Sequence, residues 1–458
     1  MPASAPAARL NLFGITWPIF VENLFMALIG LFGLWLASRL SDAAVATYGV
    51  SNQIVGAFQI VFRVVSIGAS VVVTQHHGAG DRAGAARVAV AGLAASVWVG
   101  LGTLLLVGLG AAQILSLLRL PTELLPLGVP FLTVLAVALA GDSVAMTMIA
   151  VLRANTYTRV SMRIVLIMNI AQVAMSVPLM FGVGAWQGFG LIGLALAMIL
   201  SRLFAMALLW QSWRDKLGLR ITPRQWFHLD RVPLRNILHI GLPGAGEKVA
   251  YRVALIMTIA MVGSLGAAAL AAQAYVMQSV QLVTLFVNSV GFGTEIVIGH
   301  LVGGGRVKEA NRLMLKAMAY GFVVMFGCAL ANFFITPAAV ARATQDGQIL
   351  SLIGVIVWIE LILEPGRSLN TIITSGLRAS GDARFPVKVS AISVFVFGAG
   401  LAWLLGVHLG YGLSGIWIGY MADEWARGLC MAARWYGLHW TPYARGTRRR
   451  ILAHRQAA

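Results

Sequence analysis

Carboxylates lie inside apolar segments of this sequence, where ionised groups are costly. Half of the 16 acidic residues fall in such segments. They are Glu22, Asp142, Glu247, Glu295, Glu360, Glu364, Asp423 and Glu424. A charged side chain at the centre of a bilayer costs about 2.5–3.5 kcal/mol on insertion scales. These groups must therefore be paired with cations, be protonated or bind a positive ion, and the last two states are those of a cation-binding site.

Two of the buried acids follow a proline by four residues. Glu247 lies after Pro243 near the predicted start of an apolar span, where a proline frees backbone carbonyls that can help a carboxylate to bind a cation. Glu22 has no basic residue on its own predicted helix, so it must be protonated, solvated or paired across helices. We expect Glu247 and Glu22, with Glu360 and Glu364, to serve cation coupling.

Further charges lie at helical spacing on the tenth and twelfth predicted spans. Glu364 precedes Arg367 by three residues, which allows a direct ion pair on one helix. Two interpretations stay open here, a working proton site and a fixed structural ion cluster. The residues predicted for the structural cluster are Arg367, Asp423, Glu424 and Arg427.

Amides and aromatic residues inside the spans are candidates for a substrate cavity. Such amides often join helices, and single aromatic residues often serve packing. The candidates are Trp17, Tyr48, Asn52, Gln273 and Asn370. The two cysteines do not have the spacing of a metal site. The sequence shows no nucleotide-binding motif, so it indicates neither an organic cofactor nor an ATP-driven pump. The only cofactor that we expect is a coupling ion, H⁺ or Na⁺.

The composition requires a membrane. The 458 residues are 59% hydrophobic and only 11% charged, with a mean hydropathy of +0.83, whereas a soluble domain is about one quarter charged. Apolar stretches long enough to cross a bilayer recur along the chain. The predicted fold is all-α and polytopic, with spans at 12–36, 46–75, 88–116, 127–152, 162–184, 189–211, 237–261, 268–300, 313–338, 349–376, 387–407 and 412–434.

Basic residues are distributed unevenly between the two sides of the membrane. Twelve spans place both termini on one side, and the loops of the other side hold only Arg39, Arg119 and Arg342. The positive-inside rule therefore predicts an inner or plasma membrane protein with both termini cytoplasmic. The net charge of +18 is spread over all the inner segments, so we expect the lipid bilayer and not nucleic acid as its partner.

The sequence repeats itself with a constant offset of 225 residues. Pro18 and Glu22 fall on Pro243 and Glu247, Arg153 falls on Arg378, and the GASVVVTQHHGAGD turn falls on GTEIVIGHLVGGGR. A repeat of six spans preserves orientation and predicts two similar lobes around a central cavity, which suits alternating access. The predicted divisions are an N-terminal lobe at 1–211, a basic linker at 212–236, a C-terminal lobe at 237–434 and a basic tail at 435–458.

Several motifs together resemble the multidrug and toxic compound extrusion (MATE) family. They are WPIFVENLFMALIGLFGLWLASRLSD, GASVVVTQHHGAGD, VLRANTYTR, GLPGAGEKV, GTEIVIGHLVGGGR and GLRASGDARFPV. The resemblance implies two six-helix lobes, a V-shaped cavity, and export of small organic, often cationic, compounds driven by inward proton or sodium flow. It implies a transporter and not an enzyme, and one cavity per chain needs no partner, so we expect a monomer.

The sequence departs from the family at two acidic positions. Gly33 stands where the first helix usually has an Asp, and Arg367 stands where the tenth helix usually has an acid. The Glu of the seventh helix is kept as Glu247, which moves the expected coupling site to the C-terminal lobe. An alternative is a lipid-linked saccharide flippase of the same superfamily, for which Arg63, Lys248 and Arg367 would supply basic groups.

Overall fold

The computed structural model describes residues 11–457, apart from the side chains of Pro223, His454 and Ala457, and they form an all-helical fold. Arg9, in the N-terminal segment for which we predict a cytoplasmic position, lies outside these residues. The helices of the first half are α1 Leu12–Ser38, α2 Asp42–Gly78, α3 Arg82–Leu109, α4 Ala111–Leu117, α5 Leu125–Ala154, α6 Thr158–Phe181 and α7 Leu191–Leu217. The second half comprises α8 Arg231–Ser264, α9 Ala267–Gly303, α10 Val307–Ala343, α11 Gly347–Ser380, α12 Arg384–Ser393, α13 Gly412–Tyr436 and α14 Thr441–Ala457.

The long helices coincide with the twelve predicted spans. Within residues 11–457, ten helical segments are long and apolar enough to cross a membrane, and the tenth of them extends α12 through two π-helical stretches to His408. The other two predicted spans correspond to α8 and α13. Both helices carry several charged side chains, which lower their hydropathy.

The 225-residue repeat extends to the helix boundaries. α2 and α9 each have 37 residues, and α9 begins and ends 225 positions after α2. α10 likewise begins 225 positions after α3. The turns that precede α3 and α10 match as well, because Gly80 and Gly305 adopt φ of +73° and +74°. Only glycine takes up this backbone conformation without strain.

Glu247 does not lie near the start of a helix, contrary to the sequence prediction. α8 begins at Arg231 and runs through the proline, so that Glu247 lies halfway along it. The first turns of α8 carry Arg231 and Arg235. These residues are helical, but because they are charged, the hydropathy pattern placed them outside the predicted span. The predicted linker is accordingly helical at both ends, and residues 218–230 join α7 to α8.

The contacts divide the chain into two compact units. The C-terminal unit comprises the described residues up to Phe20, Gln75–Gly80 and the chain from Pro243 onward, and the N-terminal unit comprises Val21–Thr74 and Asp81–Leu242. The beginnings of α1 and α8 therefore belong to the opposite unit from the rest of their repeats. Ile15 and Ile19 lie in the core of the C-terminal unit, while Ile237 and Ile240 lie in the core of the N-terminal unit.

The basic tail ends in a helix that packs on the C-terminal unit. The indole rings of Trp435 and Trp440 stack with centroids 4.2 Å apart and an interplanar angle of 12°. Ala444, Thr447 and Ile451 of α14 are buried at intervals of three and four residues. One face of α14 is thus fixed, while the side chains of Arg445, Arg449 and Arg450 are exposed.

Candidate functional site

Glu22 forms an ion pair between helices of the N-terminal unit. Its carboxylate pairs with the guanidinium of Arg153, in the last turn of α5, and accepts a hydrogen bond of 2.6 Å from Ser161 Oγ of α6. Glu22 is 1% exposed. The structure therefore realises one of the three states that the sequence left open, pairing across helices.

Glu247 makes the repeat-equivalent contact in the C-terminal unit. Its Oε2 atom lies 3.8 Å from Nη1 of Arg378, at the end of α11. Arg378 also pairs with Glu295 of α9, at 3.2 Å from Nη2 to Oε2. Both acids and both arginines are related by the 225-residue offset, which was the signal in the sequence that could have predicted the two pairs. The partner role of Glu295 had no such signal, because Ser70 occupies its repeat position.

The predicted ion cluster of the tenth and twelfth spans is assembled between α11 and α13. Arg367 contacts Glu364 on its own helix and reaches Glu424 with 3.3 Å between Nε and Oε1. Arg427 lies 3.1 Å from the same Glu424 oxygen and 2.5 Å from Asp423. The two guanidiniums thus share one carboxylate across the two helices, and the contacts of Glu364 with Arg367 and of Asp423 and Glu424 with Arg427 have the i,i+3 or i,i+4 spacing of a single helix.

Amides and a hydroxyl complete this cluster. Asn370 Nδ2 donates a hydrogen bond of 2.9 Å to Glu424 Oε2. Ser393 Oγ of α12 donates one of 2.7 Å to Asp423 Oδ1. Asn370, a predicted cavity residue, therefore belongs to the ion cluster.

Glu360 is bound differently from the other acids. Asn332 of α10 donates its Nδ2 hydrogens to both carboxylate oxygens, at 2.9 and 2.8 Å. Thr336 donates to the other end of that amide, at 2.7 Å to Oδ1. Glu360 is 1% exposed, and the described residues give it no ion pair. Sequence reasoning missed Asn332, since a single amide in an apolar helix carries no pattern.

Acids outnumber the guanidiniums that neutralise them in this region. Glu360, Glu364, Asp423 and Glu424 are all buried, and the ion pairs that the structure gives them involve Arg367 and Arg427. Four ionised carboxylates beside two guanidiniums would leave two negative charges in an apolar interior. Such an excess is stable only when protons or a bound cation neutralise it.

Glu22 and Asp142 of the N-terminal unit each have one arginine as partner. Arg202 of α7 donates from Nε to Asp142 at 2.9 Å and also contacts the side-chain oxygen of Gln172. Close to the first helix, the Tyr48 hydroxyl donates to the Gly30 carbonyl at 3.4 Å. The same phenol fills the space that a side chain at Gly33 would need. The position at which the family usually has an acid is thus closed by Tyr48.

The remaining predicted cavity residues are scattered. Trp17 is 51% exposed and stacks on Phe13 with ring centroids 6.4 Å apart. Asn52 is exposed on α2. Gln273 is buried and accepts a hydrogen bond of 2.7 Å from Trp417 Nε1. The structure therefore connects only Asn370 directly to the buried acids. Among residues 11–457, no three His, Cys, Asp or Glu side chains are grouped so as to hold a metal ion.

Comparisons with known proteins place this geometry in a family. The MatE family model matches residues 18–177 and 243–404, two segments that begin 225 residues apart. An uncharacterized transporter of Bacillus subtilis, YisQ, is 31% identical over 430 residues, which cover 94% of each chain. A probable multidrug resistance protein NorM of Thermotoga maritima is 23% identical over 91% of this chain and 90% of its own.

Solved structures of the same fold cover nearly the whole chain. The bent form of the Vibrio cholerae MATE transporter VcmN superposes with a TM-score of 0.82 at 18% identity, over 95% of this chain and 97% of its own. A Pyrococcus furiosus transporter of the MOP superfamily, described as having a binding pocket of reverse polarity, gives 0.82 at 17% identity, over 96% and 95%. MATE structures have twelve transmembrane helices in two lobes. With its duplicated six-helix sequence, the chain belongs to the MATE family of multi-pass membrane transporters.

Proposed function

We propose that this protein exports small organic, often cationic, compounds in exchange for H⁺ or Na⁺ through alternating access. Family membership supports transport, and relatives that are named as probable multidrug resistance proteins support such a substrate class. The proposed orientation places both termini in the cytoplasm of an inner or plasma membrane, and the proposed working unit is a monomer.

The excess of buried carboxylates between α11 and α13 carries this proposal. Because the four acids share only two guanidiniums, the group has its lowest energy when it holds protons or a metal cation. An organic cation brings the same charge. Coupling ion and solute then compete for one negative site, which is the condition for antiport.

Glu360 is the acid best suited to exchange its positive ion. Asn332 is the polar group that holds it, whereas Glu364, Asp423 and Glu424 each meet a permanently charged arginine. An amide stabilises the carboxylate less than a guanidinium does, since only the guanidinium supplies a full charge. Protonation of Glu360 therefore removes an unbalanced charge without breaking an ion pair.

The proposed coupling site belongs to the C-terminal unit alone. In the N-terminal unit Glu22 and Asp142 each pair with one arginine, and Tyr48 closes the position of Gly33. These groups remain neutral in sum without any added ion. This asymmetry supports the expectation, drawn from Gly33 and Arg367, that coupling has moved into the C-terminal half.

The test is gradient-driven uptake of ethidium by proteoliposomes that contain the purified protein. We expect uptake driven by an imposed pH or sodium gradient, and Glu360→Gln should lower its rate by about tenfold or more, because a neutral amide cannot alternate between charge states. Glu309→Gln is the matched control, since Glu309 is an exposed acid paired with Arg306 at the start of α10. Equal gradient-driven rates for Glu360→Gln and the parent protein would remove Glu360 from the mechanism.

The same vesicles distinguish the alternative function. A flippase would move a lipid-linked saccharide between leaflets and show no gradient-driven accumulation of ethidium. That combination of results would replace the exporter proposal.

A further inference from the structure

A cavity of about 300 Å³ lies in the N-terminal unit between α3 and the segment that joins α7 to α8. Val90 and Ala91 of α3, with Ile221 of the joining segment, supply an apolar floor. Arg87 and Arg220 stand on its two sides. The volume is at the lower end of the range for small-molecule sites, and it fits a headgroup-sized ligand.

Aromatic contacts hold the walls of this cavity in place. Trp98 of α3 donates from Nε1 to the Phe227 carbonyl at 3.0 Å, and the two rings meet edge to face. Trp210 of α7 lies against Trp226 with ring centroids 5.2 Å apart. The joining segment is therefore fixed to both neighbouring helices, so the cavity does not need a ligand in order to form.

The charges on the walls favour an anion. The side chains of Arg87 and Arg220 are exposed, and neither forms an ion pair with another described residue. Asp230 also lines the cavity, but its carboxylate accepts the Val232 backbone N–H at 3.2 Å and so serves the start of α8. Two guanidiniums and one carboxylate thus line the cavity, which leaves an excess of positive charge. Arginine is the side chain best suited to bind phosphate oxygens, through paired N–H donors.

The position in the membrane favours a lipid as the source of the anion. Tryptophan and tyrosine concentrate at the membrane–water interface, and the contact between Trp210 and Trp226 near the end of α7 fits that position. The predicted orientation puts the segment on the cytoplasmic side, where the leaflet carries anionic headgroups. An apolar floor next to two cations matches the junction between a lipid phosphate and its glycerol.

We propose that this cavity binds the phosphate of an anionic phospholipid headgroup between Arg87 and Arg220. The inference rests on membership in a membrane transporter family and on the proposed cytoplasmic orientation of this segment, and not on the proposed coupling ion. Lipid bound there joins α3 to the chain that connects the two repeats.

The test is native mass spectrometry of the purified protein in detergent, titrated with dioleoyl phosphatidylglycerol. Each basic residue near an anionic lipid contributes about fivefold in affinity, so Arg87→Gln and Arg220→Gln should each weaken retention of the lipid about fivefold, and the double variant about twenty-five-fold. Arg224→Gln is the matched control, because Arg224 is exposed on the same segment and does not line the cavity.

Each result bears on the proposal directly. Equal loss of phosphatidylglycerol in the Arg224→Gln variant would show a general effect of surface charge and overturn it. Displacement of the lipid by millimolar inorganic phosphate, with the same dependence on Arg87 and Arg220, would replace the lipid with a soluble phosphate ligand. Retention of phosphatidylcholine as strongly as phosphatidylglycerol would overturn the requirement for an anion.

Discussion

The carboxylates of Glu22 and Glu247 each contact an arginine of the same repeat. In both repeats this arginine lies at the end of the fourth span. The two pairs differ in the distance between acid and arginine and in the number of acids that contact the arginine. Arg153 contacts the buried Glu22, whereas Arg378 lies 3.8 Å from Glu247 and is also held by Glu295. This geometry favours a helix-joining role for both acids, while the predicted coupling role of Glu247 stays a prediction.

Replacing Glu22 or Glu247 with Gln should therefore lower the stability of the protein by different amounts. Glu22→Gln leaves the half-buried Arg153 without an acidic partner among the described residues, and we expect a loss of stability of about 3–5 kcal/mol. Glu247→Gln should destabilise the protein by only about 1 kcal/mol, because Glu295 still neutralises Arg378. Thermal unfolding of the purified variants measures both effects. A larger loss for Glu247→Gln would contradict this account of the pairs.

Ethidium uptake by the same two variants tests their part in transport. Glu22→Gln should keep the gradient dependence of the parent protein. If Glu247→Gln also keeps it, Glu247 has no part in coupling.

Gly33 gives a second prediction at this scale. A Cβ atom there would meet the Tyr48 phenol, so Gly33→Ala should destabilise the protein by about 1–3 kcal/mol. Tyr48→Ala in the same chain removes the clash, and the double variant should lose at least about 1 kcal/mol less than the sum of the single losses. Gly30→Ala, one turn earlier with open space around its Cβ, is the control. Thermal unfolding measures these losses of stability. If the loss in the double variant equals the sum of the single losses, Gly33 and Tyr48 are not in contact.

At the scale of the elements, the C-terminal ends of α2 and α9 approach each other reciprocally. A Cβ at Gly78 would meet the His300 carbonyl oxygen, and one at Gly303 would meet the Gln75 carbonyl oxygen. These four residues form two repeat-equivalent contacts within the C-terminal unit. Small residues allow such close backbone approach between helices in membranes.

Alanine at either glycine should separate the two helix ends. We expect Gly78→Ala and Gly303→Ala each to cost about 1–3 kcal/mol, since backbone atoms and not flexible side chains must give way. Gly102→Ala in α3 has open space around its Cβ and should be neutral or slightly stabilising. Thermal unfolding compares the three variants. Similar midpoints for all of them would show that the approach is not tight.

The sequence predicted the positions of the helices better than the contacts between their side chains. Hydropathy located every long helix because each span must be apolar, and the 225-residue offset predicted the matching boundaries of α2 and α9. Hydropathy could not locate the start of α8, because the helix begins before the apolar stretch. The ion cluster followed from helical spacing, but the bond between Asn332 and Glu360 joins separate helices and depends on packing that no local pattern records.

At the scale of the whole molecule, orientation is the prediction with the widest consequence. In a chain with Cys328 and Cys430 changed to Ser, Gln187→Cys should react with a membrane-impermeant maleimide in intact cells, because the 182–190 loop is predicted to lie outside. Arg224→Cys, on the opposite side, should react only after permeabilisation. Both positions are exposed, so accessibility alone does not separate them. The reverse labelling pattern would invert the proposed topology.

The exchange of helix beginnings between the units has a consequence for biogenesis. Ile237 and Ile240 of α8 are core residues of the N-terminal unit, and they are translated only after nearly all of its other residues. While the ribosome is still completing the first repeat, that core lacks two of its buried side chains. The N-terminal unit therefore reaches its final packing only when the second repeat begins to emerge, and a nascent chain that stalls before residue 231 should expose apolar surface to quality control.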